Sequence, residues 1–430
     1  MSEEATLDEF TETTAAQERQ QTPIGELPTD WEMEWLKDVV EINPDGFSED
    51  DWALETFEYI SLSEASDGEI EDSKTTPIED APSRAQRTVQ QEDILVGTVR
   101  PKQRSHGFVG EKHAEKVCSS GFGVLRSETR LNSRYLFQEI LSNRFFSQME
   151  AYVAGSGYPS VKISDLKKHR VAIPPLPEQR KIATVLHTVD QAIQKTEEII
   201  EQTKRVKTGV SQHYFEDYNT IRREENPKSV EMVELSNLVD FKPGKAWKTD
   251  NLSEEGLKVV RISNLTGQKD EYWRYNSDYE ERRVIENGDL LFSWAGMKSS
   301  IGVHIYRGEK ALLNQHIYNL EPKTSIGRKY LYYYLDYRMS DLYSLSQGGA
   351  VQVHLTKDII ERILIPKVPA EKQESMVAHL SEIDNALQNE IARKNRLKRL
   401  KRGLMQDLLS GEVRTTDVDI DIPEEVAKYG

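Results

Sequence analysis

Arg100-Pro101-Lys102-Gln103-Arg104-Ser105-His106 crowds long donor side chains into one short segment, directly after the apolar run Asp93-Ile94-Leu95-Val96-Gly97-Thr98-Val99. Arginine and lysine donate to guanine edges or phosphates, and glutamine pairs with adenine, so this segment suits nucleic-acid contact better than bond breaking. Gly155-Ser156-Gly157-Tyr158-Pro159-Ser160, followed by Lys162, is a second such segment. Its glycines would let backbone N–H groups approach an anion or a groove wall. Both have counterparts further on, in Trp294-Ala295-Gly296-Met297-Lys298-Ser299 and Gln347-Gly348-Gly349-Ala350-Val351-Gln352. The later half adds Lys242, Lys245, Trp247, Lys248, Arg261 and Asn264. The expected nucleic-acid contacts are Arg100, Lys102, Gln103, Arg104, Tyr158 and Lys162 in the first half. In the second they are Lys245, Trp247, Arg261, Lys298, Gln347 and Gln352. Recurrence at matching places favours ligand loops over solvated turns.

Catalytic patterns are scarce by comparison. No G-x-x-x-x-G-K-[ST] loop cradles a phosphate. Asn43-Pro44-Asp45 lacks the second proline and the aromatic of an amino-methyltransferase motif, and reads as a turn. Asp240-Phe241-Lys242 has no partner acid that would complete a nuclease site, and also reads as a turn. The nine histidines show no metal-ligand spacing, and the one cysteine, Cys118, excludes an intramolecular disulfide and a cysteine-based metal centre. No catalytic residue, metal or cofactor is expected on this chain.

The elements that would position these loops emerge from an internal duplication. Beside the residue 194 positions later, Pro175, Gln179, Asp190 and Ala192 meet Pro369, Gln373, Asp384 and Ala386. Lys204, Arg205, Lys207, Gly209 and Gln212 likewise meet Lys398, Arg399, Lys401, Gly403 and Gln406. Weaker echoes pair Asp93-Ile94-Leu95 with Asp289-Leu290-Leu291, Tyr135-Leu136 with Tyr330-Leu331, and Glu32-Met33 with Glu231-Met232. The chain is two copies of one unit, each a globular segment followed by a long helix. In the first helix Ile182, Val185, Val189, Ala192, Thr196, Ile199, Thr203, Val206 and Val210 alternate spacings of three and four, a coiled-coil seam. Residues 178–215 would extend about 57 Å at 1.5 Å per residue. The second helix carries Met376, Ile383, Ala386, Leu397, Leu400 and Leu404, interrupted by Glu390 and Arg393. Ile182, Val189, Ile193, Met376, Ile383, Leu397 and Leu404 are the expected packing residues of these spacer helices. Neither stripe can be buried alone, so the helices should pair antiparallel with a pseudo-twofold relation. The expected class is α+β: two mixed α/β domains at 23–174 and 226–366, helices at 175–218 and 367–411, and mobile acidic tails at 1–22 and 412–430.

The 430 residues allow two or three domains, and the net charge of −17 speaks against a nucleic-acid partner taken on its own. Its distribution reverses the argument. Residues 1–22 hold six acids against Arg19, and residues 41–80 hold fourteen against Lys74. Outside these blocks and the acidic last twenty residues, the chain is net basic. Arg393 to Arg402 has seven basic residues in ten, a nucleic-acid patch or a helix face for an acidic partner. No run approaches the roughly 20 apolar residues of a membrane span, and a cytoplasmic location is expected.

A globular unit, the opening Pro175-Leu176-Pro177-Glu178-Gln179, a long helix and then the whole repeated resembles the specificity subunit of type I restriction-modification systems. Ile94 to Pro101, Gly155-Ser156-Gly157 leading to Ile163-Ser164, Ile173-Pro174-Pro175 and Gln406-Asp407-Leu408-Leu409-Ser410-Gly411 agree with that family, across about residues 23–414. The resemblance implies two target-recognition domains, each reading half of a split double-stranded DNA site, with the helices setting the spacing. It implies docking of methyltransferase subunits, in two copies, and of translocase-nuclease subunits. S-adenosylmethionine, ATP and Mg would act on those partners. Lys372 stands where the first copy has Glu178, a departure from the opening motif. Rival readings are a partner that fuses methylase and nuclease, a solitary endonuclease, and a coiled-coil adaptor that binds no DNA.

Overall fold

A computed structural model describes residues 18–66, 68–153, 159–216, 230–247, 252–344 and 352–427. The chain divides into two units, one of residues 1–195 with 393–430 and one of residues 196–392. Each unit combines one globular segment with the beginning of one long helix and the end of the other.

In the first unit the apolar run Ile94–Gly97 is buried at every position, which makes it a central strand. It pairs antiparallel with His106–Phe108 and Phe122–Ser127, and Val40–Ile42 closes the far edge. A second sheet orders Lys74–Pro77, Thr56–Ile60, Val117–Ser119 and Ala85–Thr88, with Val117–Ser119 parallel to Thr56–Ile60. The second unit repeats this plan. Leu290–Ser293 lies between Gly302–Ile305 and Ile317–Pro322, with Val239–Pro243 at the edge. Its other sheet again holds one parallel pair, Leu257–Val260 with Ala311–Leu313. A third pairing, Glu32–Trp35 with Arg170–Ile173, recurs as Met232–Glu234 with Leu364–Pro366.

Matching side chains tie each globular segment to its scaffold. Tyr135 Oη donates to the Ala172 carbonyl at 2.9 Å, and Tyr330 Oη donates to the Pro366 carbonyl at 3.1 Å. Both tyrosines are fully buried, so each hydroxyl needs the partner it has. The repeated glutamine acts in the same way twice. Gln179 Nε2 donates to the Pro174 carbonyl (2.8 Å) while its Oε1 accepts from Asn132 N (2.8 Å). Gln373 Nε2 donates to the Val368 carbonyl (2.7 Å) while its Oε1 accepts from Gly327 N (3.1 Å). The Pro-x-x-x-Gln opening is therefore a staple between the turn before the long helix and a shorter helix of the globular segment.

The long helices are α1 (Leu176–Phe215) and α2 (Ala370–Leu409), 40 residues each. Burial follows 182, 186, 189, 193, 196, 200, 203, 207, 210 and 214 in α1, and the positions 194 later in α2. This corrects the expected stripe by one residue in every heptad. Leu186, Ile193, Ile200 and Lys207 are the inward positions; Val185, Ala192 and Ile199 are half-buried at the seam's flank, Val185 packed on the core, and Val206 is 54% exposed. In α2, Ala386 and Leu400 are exposed while Leu387 and Lys401 turn inward. Ile182, Val189, Ile193, Met376, Ile383, Leu397 and Leu404 all lie in these seams.

Charge explains the choice of lysine. In the first unit Lys401 Nζ sits 2.7 Å from Asp190, and in the second Lys207 Nζ sits 2.9 Å from Asp384, the same pair moved by one repeat. Burial pulls the Lys207 amine down, but Asp336, Tyr332 and Asp384 more than reverse this and raise it. Within each unit the contacts run antiparallel. Asp190 meets Lys401 and Glu178 meets Arg414 in the first, while Lys207 meets Asp384 and Tyr214 bonds His379 in the second.

Residues 412–427 are not a loose tail, contrary to expectation. Arg414 bridges Asp30 and the buried Glu178 at 2.6 to 3.0 Å, and Trp31 Nε1 donates to the same Glu178. Lys181 Nζ donates to the carbonyls of Thr415, Thr416 and Val418, and Val426 is buried in the core. Residues 19–22 are also placed, as a strand paired with Gly25–Pro28.

Candidate nucleic-acid interface

In the first unit the segment after Ile94–Gly97 becomes a tight loop. Arg100 and Arg104 both adopt left-handed backbone, φ +48°, at either end of the single turn Pro101–Gln103. Non-glycine residues pay for that conformation, and such strain concentrates at functional sites. Gly97 must be glycine, since a Cβ there would lie 2.4 Å from the Ser105 carbonyl oxygen. The two expected loops do meet. Val99 bridges Ser160, Arg100 N donates to the Pro159 carbonyl at 2.8 Å, and Val161 N donates to the Thr98 carbonyl at 2.8 Å.

Arg100, Lys102, Gln103 and Lys162 are exposed on this platform. Lys102 Nζ lies 3.7 Å from Glu150, an exposed pair of little energetic weight. Arg104 plays another part. Its Nη2 donates to Asn143 at 2.8 Å and its guanidinium stacks 4.3 Å from the Phe146 ring, so it fastens the loop to the helix Asn143–Ala151. Tyr158 lies outside the described residues.

A cavity of about 550 Å³ opens beside Arg100 and Gln103, lined also by Ser61, Ser63, Ser66 and Arg84. Sequence reasoning missed these four. Three sit inside the acidic segment 41–80, and only the sheet order carries them to the loop. Behind the loop, Arg126 grips Asp93 with two hydrogen bonds of 2.8 Å and reaches Asp45 with a third. Asn43 is the turn expected of Asn43-Pro44-Asp45, with φ +56° and its Oδ1 accepting from Val124 N. His106 is buried and accepts from Gly97 N, and burial followed by the Arg104 charge pushes it down to about 4.

The second unit builds its platform differently. Ala295–Met297 is a strand, antiparallel to Gln352–His354, and Leu355 N donates to the Trp294 carbonyl at 2.9 Å. Lys298 and Met297 are exposed at its end, with Lys298 Nζ 5.3 Å from the Tyr343 ring. Gln352 contributes its backbone to the pairing; Gln347 and Lys248 lie outside the described residues. Lys245 is exposed, its amine 5.3 Å above the Trp247 ring.

Two expected contacts are corrected here. Trp247 is a core residue, 6% exposed, with its ring against Tyr275 and its N–H donated to the Leu313 carbonyl. Arg261 is a loop clasp, stacked 4.3 Å over Trp273 with Nη2 donating to the Glu271 carbonyl. Asp240 and Lys242 lie in the strand Val239–Pro243, not in the expected turn, and pair with Lys323 and Glu321 at the surface. His304 is half-buried beside Ser293, and the loss of surrounding water pushes it down to about 4. Among the described residues no helix is long and apolar enough to cross a membrane.

The family described as Type I restriction modification DNA specificity domain matches residues 28–205 and again residues 227–399. The type I restriction enzyme MjaVIII specificity subunit of Methanocaldococcus jannaschii is 26% identical over 334 residues, covering 73% of this chain and 77% of its own. The EcoKI specificity subunit of Escherichia coli is 26% identical over 238 residues, 50% of each chain. The type I restriction-modification S subunit from M. genitalium shares the fold with a TM-score of 0.56 at 17% identity, over 90% of this chain and 98% of that one. A chain from a study of assembly and conformational transition in a type I R-M system gives 0.51 at 21% identity, over 90% and 99%.

Proposed function

Since the chain belongs to the type I restriction modification DNA specificity family and carries its domain twice, we propose that the two units read the two halves of a split double-stranded DNA site. The observation that carries this is the loop pair of each unit. The same sheets present Arg100, Lys102 and Gln103 in one and Met297 and Lys298 in the other. Equal scaffolds with unequal donors are what two different half-sites require. In the first unit Arg100 and Gln103, at the mouth of the cavity, make base contacts, while Lys102 and Lys162 steady the phosphates. In the second, Lys298, Lys245 and the segment around Gln352 take those parts.

The long helices act as a coiled-coil spacer with pseudo-twofold symmetry. At about 60 Å each, they set an upper limit of roughly 17 base pairs on the span between half-sites. The chain itself is non-catalytic and cytoplasmic. Two modification subunits transfer methyl groups from S-adenosylmethionine to adenine, and restriction subunits supply ATP- and Mg-dependent translocation and cleavage.

Adenine-methylation mapping of the host genome, with this gene present and deleted, tests the reading. Loss of methylation at one split motif is expected. An unchanged methylome in a strain that expresses the modification subunit contradicts it.

A further inference from the structure

Contacts to base edges leave the cavity beside Arg100 unexplained. A duplex is read by side chains that project into its grooves, and Arg100 and Gln103 on the rim suffice for that. Behind them lies about 550 Å³ of open space. Only a group that projects from the DNA can enter it. The size falls within the roughly 300–1,000 Å³ of pockets that take one small organic molecule, well beyond what a single phosphate fills.

The wall of the cavity is selective in charge. Ser61, Ser63 and Ser66 come from the segment 41–80, which holds fourteen acids against Lys74. Among the described residues no acid lines the cavity, whereas Arg84 and Arg100 both do. The neighbouring cavity of about 370 Å³, across Tyr59 and Ser61, does have Glu64 and Asp80 in its wall. Guanidinium groups suit a phosphate, and serine hydroxyls donate and accept as a base edge requires. Tyr59, Leu62 and Val99 add an apolar wall for a ring. One nucleotide carries all three features.

The second unit fills the same place with bulk. Ile60 pairs with Cys118 as Val260 pairs with Leu313, and Gly97 pairs with Phe122 as Ser293 pairs with Ile317. Arg261, Trp294, Asn314 and His316 therefore stand where the first unit has Ser61, Thr98, Ser119 and Gly121. The Trp294 backbone N–H donates to the His316 carbonyl at 3.1 Å, as that of Thr98 does to Gly121 at 2.8 Å. The Trp294 and His316 rings pack at 5.1 Å. The first unit leaves room where the second packs rings.

We infer that the cavity receives one nucleotide of the half-site read through Arg100, swung out of the stack when the complex binds. The inference rests on the proposal above that this unit reads DNA. Extrusion costs unstacking and unpairing, which the two arginines and the polar wall offset. A free mononucleotide offers the same chemistry, and the test separates the two sources.

The test uses the assembled complex on its own motif duplex, with 2-aminopurine at one position at a time and the methylated adenines left in place. Stacking quenches this base, so its emission rises where it leaves the helix. One position in the half that Arg100→Ala affects should brighten several-fold. A mismatch there should tighten binding about 10- to 100-fold, because the pairing is already lost. Ser63→Trp and Ser66→Trp, at exposed positions of the cavity wall, should each abolish both effects without lowering the melting temperature of the chain. Emission in that half that is equal in the wild type and both filled variants overturns the inference. Loss of the signal only together with a fall in melting temperature in both also overturns it, for the serines would then serve the fold. Deoxynucleoside monophosphates that saturate the wild type but not Ser63→Trp, with no brightening in the duplex, overturn the DNA source in favour of a free nucleotide. A wild-type complex that does not bind its motif overturns the reading beneath.

Discussion

The first unit carries its donor loop on two strained arginines and closes its long helix with a strap of residues 412–427; the second carries its donors on a short strand and has Lys372, exposed, where the first has the strapped Glu178. Beneath these differences the two agree down to single hydrogen bonds, in Tyr135 and Tyr330, Gln179 and Gln373, and the lysine–aspartate pairs. Agreement sits where a side chain must satisfy a buried partner in both copies. Divergence sits at the loops that face outward and at Glu178 and Lys372, where only the first copy is packed by the strap. Constancy marks the scaffold, and variation marks what is read.

The largest contrast should come from the strap. Arg414→Ala leaves Glu178 as a buried carboxylate without its cation, and should destabilise the first unit by about 3–5 kcal/mol. Lys372→Ala, at the equivalent exposed position, should stay within about 0.5 kcal/mol. Urea titration that resolves the two units reads both, and equal losses would break the comparison.

Acid should strike both units alike. His106 and His304 are held neutral with pKa values near 4, below the unfolded value of 6.5. The unfolded chain takes up a proton first, so stability is complete above pH 6.5 and falls as the pH drops towards 4. The loss is about 3 kcal/mol per histidine. Melting of His106→Gln and His304→Gln variants between pH 7 and 4 should show the slope reduced in the altered unit alone.

Tyr135→Phe and Tyr330→Phe should cost similar amounts, about 1–2 kcal/mol, by leaving a buried carbonyl without its donor. Costs that differ by more than about 2 kcal/mol would show that the scaffolds are not equivalent. The smallest effect is Arg100→Gly. Relief of the left-handed backbone should leave stability unchanged or up to about 1 kcal/mol higher. Discrimination at one half-site should meanwhile fall, which separates reading from folding.

The duplication, the strand that leads to each donor loop and the pairing of loops were legible because apolar runs, prolines and glycines mark them in both copies. The seam was misplaced by one residue per heptad because apolarity alone selects Val206 and Leu400. Lys207 and Lys401 win the inward positions through aspartates that lie elsewhere in the chain. The strap was invisible for a related reason. Its acidic composition reads as a solvated tail, while its anchors, Asp30, Glu178 and Lys181, lie far away in sequence. Trp247 and Arg261 looked like ligand contacts by residue type, and the folded sheet spends both internally. Ser61, Ser63 and Ser66 looked inert in an acidic stretch and line the cavity.

The central claim is that each unit reads its own half of one split site. The most direct measurement is binding of the assembled complex to duplexes of the methylated motif in which one half at a time is scrambled, with wild-type chain, Arg100→Ala and Lys298→Ala. Each variant should lose about 5- to 150-fold discrimination at one half only, a different half for each, with the other half read as before. Loss of discrimination at both halves from either substitution would contradict the account.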